Sequence, residues 1–225
     1  MISFFAFHCS LLSILFSLCI MLRTIFQPLS IDRKVAWVTI VSTTLLILNA
    51  YHAFTIYPEI NQTILFFIAP MLFIVLVFRE SPRDYGFTLG DWRAGLGLTI
   101  GGIVLMTPVI WALAKFDPTV EPYYKDMAVN LPWNTLGQIF GWEFLFRGFI
   151  LFGYARRFGP DALWIQAVPF ALLHIGKPEI ETLSTIFGGF VFGWVAWRTK
   201  SFIYPFLIHW YIFTLIVLVS SRSLG

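Results

Sequence analysis

The sequence predicts an all-α fold, a polytopic membrane helix bundle of about eight transmembrane helices. Three observations carry this. Of 225 residues, 58% are hydrophobic and only 12% charged, roughly half the charged share of a soluble domain. The apolar residues fall in runs near 3–22, 35–57, 62–78, 94–114, 131–154, 161–175, 181–197 and 202–220, most of them close to the roughly 17–25 residues of a spanning helix. The connections alternate in charge. Those after the first, third, fifth and seventh runs hold Arg23, Arg33, Lys34, Arg79, Arg83, Arg93, Arg156, Arg157, Arg198 and Lys200, whereas the opposite side holds Lys115, Lys125, Lys177 and Arg222. The positive-inside rule then places both termini outside the cytoplasm.

The chain 1–225 is expected to form a single integral membrane domain. Residues 1–22 lack a basic leader and a small-residue cleavage site, so they are read as a retained first span. Both cysteines, Cys9 and Cys19, lie there and imply neither a disulfide framework nor a thiolate metal site. The polar, turn-rich stretch 79–87 is expected on the cytoplasmic surface. Three G-x-x-x-G pairs, Gly97/Gly101, Gly137/Gly141 and Gly189/Gly193, are expected to let helix backbones approach one another. The 117–130 connection, with Pro118 and Pro122, reads as an outer-face loop. The sixth run is short and ends at the helix-breaking Gly176-Lys177-Pro178. The formal charge of +3 comes from connecting segments and does not suggest a nucleic-acid partner.

Within the fifth run only Glu143 and Arg147 are charged. At i and i+4 they share one helical face, in the favourable order for pairing. Charges at membrane depth cost at least ~2.5–3.5 kcal/mol each and so turn toward a bundle interior or a wet cavity. The bland alternative is a structural ion pair. His8 and His52 each stand alone, which suits packing. His174 and His209 lie in apolar runs of the same half as Glu143, and their ring nitrogens need partners. Convergence of Glu143, His174 and His209 in one cavity would suit activation of water by a general base with flanking donors. It would also suit a metal ion. Zinc has little spacing support, because no H-E-x-x-H occurs and its ligands would come from three helices. No cofactor is therefore expected. Serine catalysis has less support still: there is no G-x-S-x-G, and Ser184 has no local signature.

Three stretches, taken in order, resemble the CPBP family of intramembrane glutamic proteases, which includes CAAX prenyl endopeptidases and bacteriocin-processing homologues. The family's E-E-x-x-x-R motif is met by Trp142-Glu143-Phe144-Leu145-Phe146-Arg147, followed by Gly148. Its F-x-x-x-H is met by Phe170 and His174, and its H-x-x-x-N by His209 alone. The resemblance covers about residues 80–215, the expected protease-like core. Two positions depart from it: Trp142 stands where the family has its catalytic-base glutamate, and Phe213 where it has asparagine. Neighbouring helix residues point about 100° apart, so Glu143 does not simply replace its neighbour.

The resemblance implies an intramembrane endopeptidase of a bacterial inner membrane. It would cut a membrane-anchored protein or peptide near its C-terminal anchor, with water activated by glutamate and histidine. Glu143 would be the base, His174 would orient the water, His209 would stabilise the oxyanion, and Arg147 would keep Glu143 ionised. Glu181 is the alternative base. It opens the seventh span, where the helix dipole favours a carboxylate, and is read as lacking a cation one turn away. The alternatives are a catalytically inactive, protease-like membrane protein that binds a helix or lipid, and a proton-linked transporter. Against the transporter, no inverted repeat of broken helices is visible.

Overall fold

The computed structural model describes residues 17–18, 20–26, 30–128 and 131–221. Its contacts separate Met1–Asp32 from Arg33–Gly225. In the first unit, residues 20–25 are helical, and Thr24 Oγ1 donates to Ile20 O at 2.9 Å. Most of the expected first span, with His8, Cys9 and Cys19, lies outside the described residues, as does Arg222.

The second unit is all helical, with no strand among the described residues. We number its helices α1 (Arg33–Tyr51), α2 (Pro58–Phe78), α3 (Trp92–Phe116), α4 (Val120–Tyr124), α5 (133–158), α6 (Ala162–Leu172), α7 (Glu179–Thr199) and α8 (Ile203–Ser220). Five of these, α1, α2, α3, α7 and α8, are long and apolar enough to cross a membrane. The chain is thus an integral membrane helix bundle.

α5 is the central helix, and every residue from 141 to 151 is buried. It is α-helical over Trp133–Glu143, π-helical over Phe144–Ile150, and α-helical again over Leu151–Phe158. It packs on α2 and α8, and its π-helical stretch also meets α1, α6 and α7. Wider π turns change the angular register and recur at functional sites. Here the change begins at the residue after Glu143. Edge-to-face rings join α5 to α2 and α8: Phe140 meets Phe67 (5.0 Å) and Phe206 (5.2 Å), and Phe144 meets Phe202 (5.2 Å).

Two of the three glycine pairs lie at helix contacts. A Cβ on Gly141 would come within 3.0 Å of Gln62 O on α2, and one on Gly189 within 3.0 Å of Ala167 on α6. Gly97 and Gly101 are exposed, with nothing near them. On α3 the packed glycines are instead Gly95, against Tyr204, and Gly102, against Ile208. The four-residue spacing therefore picked the wrong face of this helix.

Both polar connections prove more buried than expected. In 79–87, Tyr85 is buried and its hydroxyl donates to Glu80 Oε2 (2.6 Å), while Arg156 Nη1 donates to Glu80 Oε1 (2.8 Å). Burial works to raise the Glu80 carboxyl. Hydrogen bonds from Lys34 and Tyr85, with the charges of Lys34 and Arg156, outweigh it and hold Glu80 below the usual carboxylate range. The 117–130 connection folds into α4 and a 3-10 turn, Lys125–Ala128, with Val120 and Tyr124 fully buried. Their i, i+4 spacing is the apolar signal that the surrounding prolines and charges concealed.

The start of α3 is clasped to the end of α7. Asp91 caps α3 by accepting from Ala94 N (3.1 Å), its own N–H donates to Thr199 O (2.8 Å), and Arg198 Nη1 donates to its carboxylate (2.9 Å). Gly90 makes this approach possible. Its φ is +49°, and a Cβ there would fall 1.9 Å from Thr199 O. Gly90→Ala is expected to lose about 1–3 kcal/mol through overpacking and backbone strain. Denaturation of the purified protein in mixed micelles checks it. A midpoint equal to the parent's would show that the close approach contributes nothing.

Candidate active site

The charged pair of α5 lies wholly inside the protein. Glu143 and Arg147 are both 0% exposed, and Arg147 Nη1 donates to Glu143 Oε1 at 3.0 Å. The guanidinium lies 3.8 Å from the ring centroid of Phe170 and 5.2 Å from that of Phe192. Cation–π attraction thus replaces part of its lost hydration. Arg147 Nε and Nη2, and Glu143 Oε2, make no hydrogen bond among the described residues.

α8 brings His209 to the same carboxylate oxygen, with Nδ1 at 2.6 Å from Glu143 Oε1. α6 brings His174, whose Nδ1 is 2.8 Å from Phe170 O. An ionised carboxylate and a peptide carbonyl only accept hydrogen bonds, so Nδ1 carries the proton in both rings. In the neutral imidazole Nε2 is then an acceptor. The two ring centroids are 6.4 Å apart, with planes 26° from parallel. His174 and His209 line one cavity of about 200 Å³, whose other walls include Ile110, Phe170, Phe192 and Phe213. Glu143 does not line it. His52 is exposed and stacked on Phe54 at 6.2 Å, and it does not line this cavity.

Trp142 occupies the position next to Glu143 and is buried. Its Nε1 donates to Gln62 Oε1 on α2 at 2.8 Å. Its ring stands edge-on to His174 (5.3 Å, 87°) and His209 (6.5 Å, 77°). The indole is therefore a wall against both imidazoles, where a carboxylate would have been a third proton acceptor.

A second polar cluster lines the same cavity. Lys177 Nζ donates to Glu181 Oε1 at 3.1 Å, and Tyr124 OH donates to Glu181 Oε2 at 2.6 Å. This corrects the reading of Glu181 as lacking a cation one turn away. Lys177 is at i−4, but it precedes the first residue of α7, so a helical count starting at Glu179 misses it. Burial first, and the Glu181 charge second, push the Tyr124 phenol up, so it stays a protonated donor. Both oxygens of Glu181 are thus engaged, whereas the hydrogen bonds of His174 and His209 among the described residues run through Nδ1. The Lys177 ammonium also lies 5.6 Å from the Trp142 ring centroid and 5.4 Å from that of Phe213. Lys177 and Tyr124 are the members of the site that sequence reasoning missed. The i, i+4 relation of Lys177 to Glu181 was the available signal for the first.

The five expected site residues therefore occupy one region in two hydrogen-bonded groups: Arg147–Glu143–His209 with His174 beside it, and Lys177–Glu181–Tyr124. Among the described residues no group of three or more His, Cys, Asp or Glu is placed to hold a metal ion. Comparison with curated proteins and with solved structures finds no match. The family described as type II CAAX prenyl endopeptidase, Rce1-like, matches residues 124–215, which carry both groups, and over this stretch the chain is similar to that family.

Proposed function

We propose that the protein is an intramembrane endopeptidase that hydrolyses a peptide bond of a membrane-tethered polypeptide near its C-terminal anchor. The observation that carries this reading is the pair of imidazoles that share one cavity and use Nδ1 for their hydrogen bonds among the described residues, which leaves Nε2 as the acceptor. Two acceptors flanking a water molecule accept hydrogen bonds from both of its O–H groups and leave an oxygen lone pair aimed at a carbonyl carbon.

In this reading the base is His209. Its Nε2 removes a proton as the water oxygen bonds to the carbonyl carbon, and Glu143 stabilises the imidazolium that forms. The C–N bond then breaks, and the same proton passes to the leaving amine nitrogen. His174 accepts the second hydrogen bond of the water and fixes its direction. Glu143 is a positioning residue, because it is fully buried and outside the cavity wall. Arg147 fixes the Glu143 carboxylate by donating to Oε1. A neutral His209 uses its one N–H on Glu143 and has none left for an oxyanion.

The reading is tested with purified protein in liposomes and reporter peptides that carry a C-terminal membrane anchor. Mass spectrometry should find cleavage close to the anchor, and His174→Ala should reduce the rate by about 10–100-fold through loss of water orientation. Intact peptides after incubation with folded protein would overturn the enzyme and assign the cavity to holding a helix or lipid.

A further inference from the structure

We infer that Lys177 is a catalytic residue that stabilises the oxyanion formed on the substrate carbonyl. The inference rests on the endopeptidase reading above and adds a residue that none of the three motifs contains.

Attack by water moves the π pair of the carbonyl onto its oxygen, and that developing charge needs a donor. The donors on the cavity wall are accounted for one by one. His174 and His209 spend their N–H groups on Phe170 O and Glu143. Tyr124 OH donates to Glu181 Oε2, Ser184 Oγ to Glu181 O at 2.7 Å, and Thr185 Oγ1 to Thr182 O at 2.6 Å. Lys177 carries three N–H donors and, among the described residues, uses one, on Glu181 Oε1. It is the cation among the residues lining the cavity, and its side chain is 15% exposed.

The rings under the ammonium are Trp142 and Phe213. These are the two positions at which the chain departs from the family motifs. Both substitutions exchange a hydrogen-bonding side chain for an aromatic face, and both faces are turned to the same cation. Such contacts are weak beside a full charge pair, so an oxyanion displaces them. Between apolar walls a charge interaction of this kind is stronger than in water.

The turn that carries Lys177 is fixed. Lys177 N–H donates to His174 O (3.1 Å), Thr182 Oγ1 donates to the same carbonyl (2.8 Å), and Gly176 supplies φ +98°. Lys177 and His174 are thus held on one short turn, one facing the charge of the reaction and the other its water.

The test uses the full-length protein in liposomes and compares the parent with Lys177→Met and Lys177→Arg. The oxyanion role predicts that Lys177→Met lowers kcat by about 10²–10³-fold with KM nearly constant, and that Lys177→Arg retains activity within about tenfold of the parent. A phosphinate analogue of the tail peptide supplies a second readout. The parent should bind it more tightly than the uncleaved peptide, and Lys177→Met should lose that preference while still binding the peptide. Lys177→Gln serves in place of Lys177→Met if the latter does not fold. An active parent with equal kcat and equal phosphinate preference in the folded variants would overturn the role of Lys177 alone. A folded parent that cuts nothing would overturn the endopeptidase reading and this role with it.

Discussion

Arg147→Leu is expected to destabilise the protein by about 3–5 kcal/mol, because it leaves the Glu143 carboxylate buried without its cation. The burial is complete on both sides, at 0% exposure for each side chain. Leucine also gives up the contact with the face of Phe170 at 3.8 Å. The pair itself need not add much net stability. Three of its polar atoms have no hydrogen bond among the described residues, and desolvation offsets the attraction. The double variant Glu143→Gln/Arg147→Leu should therefore be more stable than Arg147→Leu alone. Arg147→Lys should fall between, since one point charge replaces a planar fork. Denaturant unfolding of the four proteins in mixed micelles decides the matter. A parental midpoint in Arg147→Leu would reduce the arginine to a packing device.

His209→Ala is expected to lower kcat/KM by about 10²–10⁴-fold, the usual contribution of a general base. Exogenous imidazole should restore part of the rate, because truncation enlarges a cavity already of about 200 Å³. Glu143→Gln should also be slow, but imidazole should not restore it, since the native ring still occupies the site. Adding Glu143→Gln to His209→Ala should cost little more, as two parts of one hydrogen-bonded unit do not act additively. If Glu143 were itself the base, imidazole would leave His209→Ala unchanged, and the double variant would be much slower than either single one.

Much of this was legible in the sequence for simple physical reasons. Apolar runs mark the long helices because lipid demands them, and Gly176-Lys177-Pro178 marks the early end of α6 because its backbone cannot continue a helix. Glu143, Arg147, His174 and His209 were legible as candidates because intramembrane polar groups are costly, and the structure places the four side chains together. What escaped depends on neighbours distant in sequence. The pairing of buried Glu143 with His209 joins residues 66 apart, and the π-helical stretch that follows Glu143 is announced by no composition. The engagement of Glu181 follows from Tyr124, in a connection whose prolines read as surface. Gly97 and Gly101 matched a spacing rule, but the side chains that set the contact face of α3 are Tyr204 and Ile208 of α8.

The shortness of α6 also bears on the membrane as a barrier. Its 11 residues rise about 16 Å, roughly half of a ~30 Å hydrocarbon core. The chain then runs through the 173–178 turn before α7 begins at Glu179. Backbone without a helical ladder is tolerated at such depth only where protein covers it or water reaches it. For the 173–178 turn such cover includes Lys177 N–H and Thr182 Oγ1, both donating to His174 O. α5, α6 and α7 close around the fully buried Phe146 and Arg147. In the proposed endopeptidase, water that reached the imidazoles past the short end of α6 would meet this packing beyond them, so hydrolysis would draw on one aqueous phase and leave the ion gradient across the membrane intact.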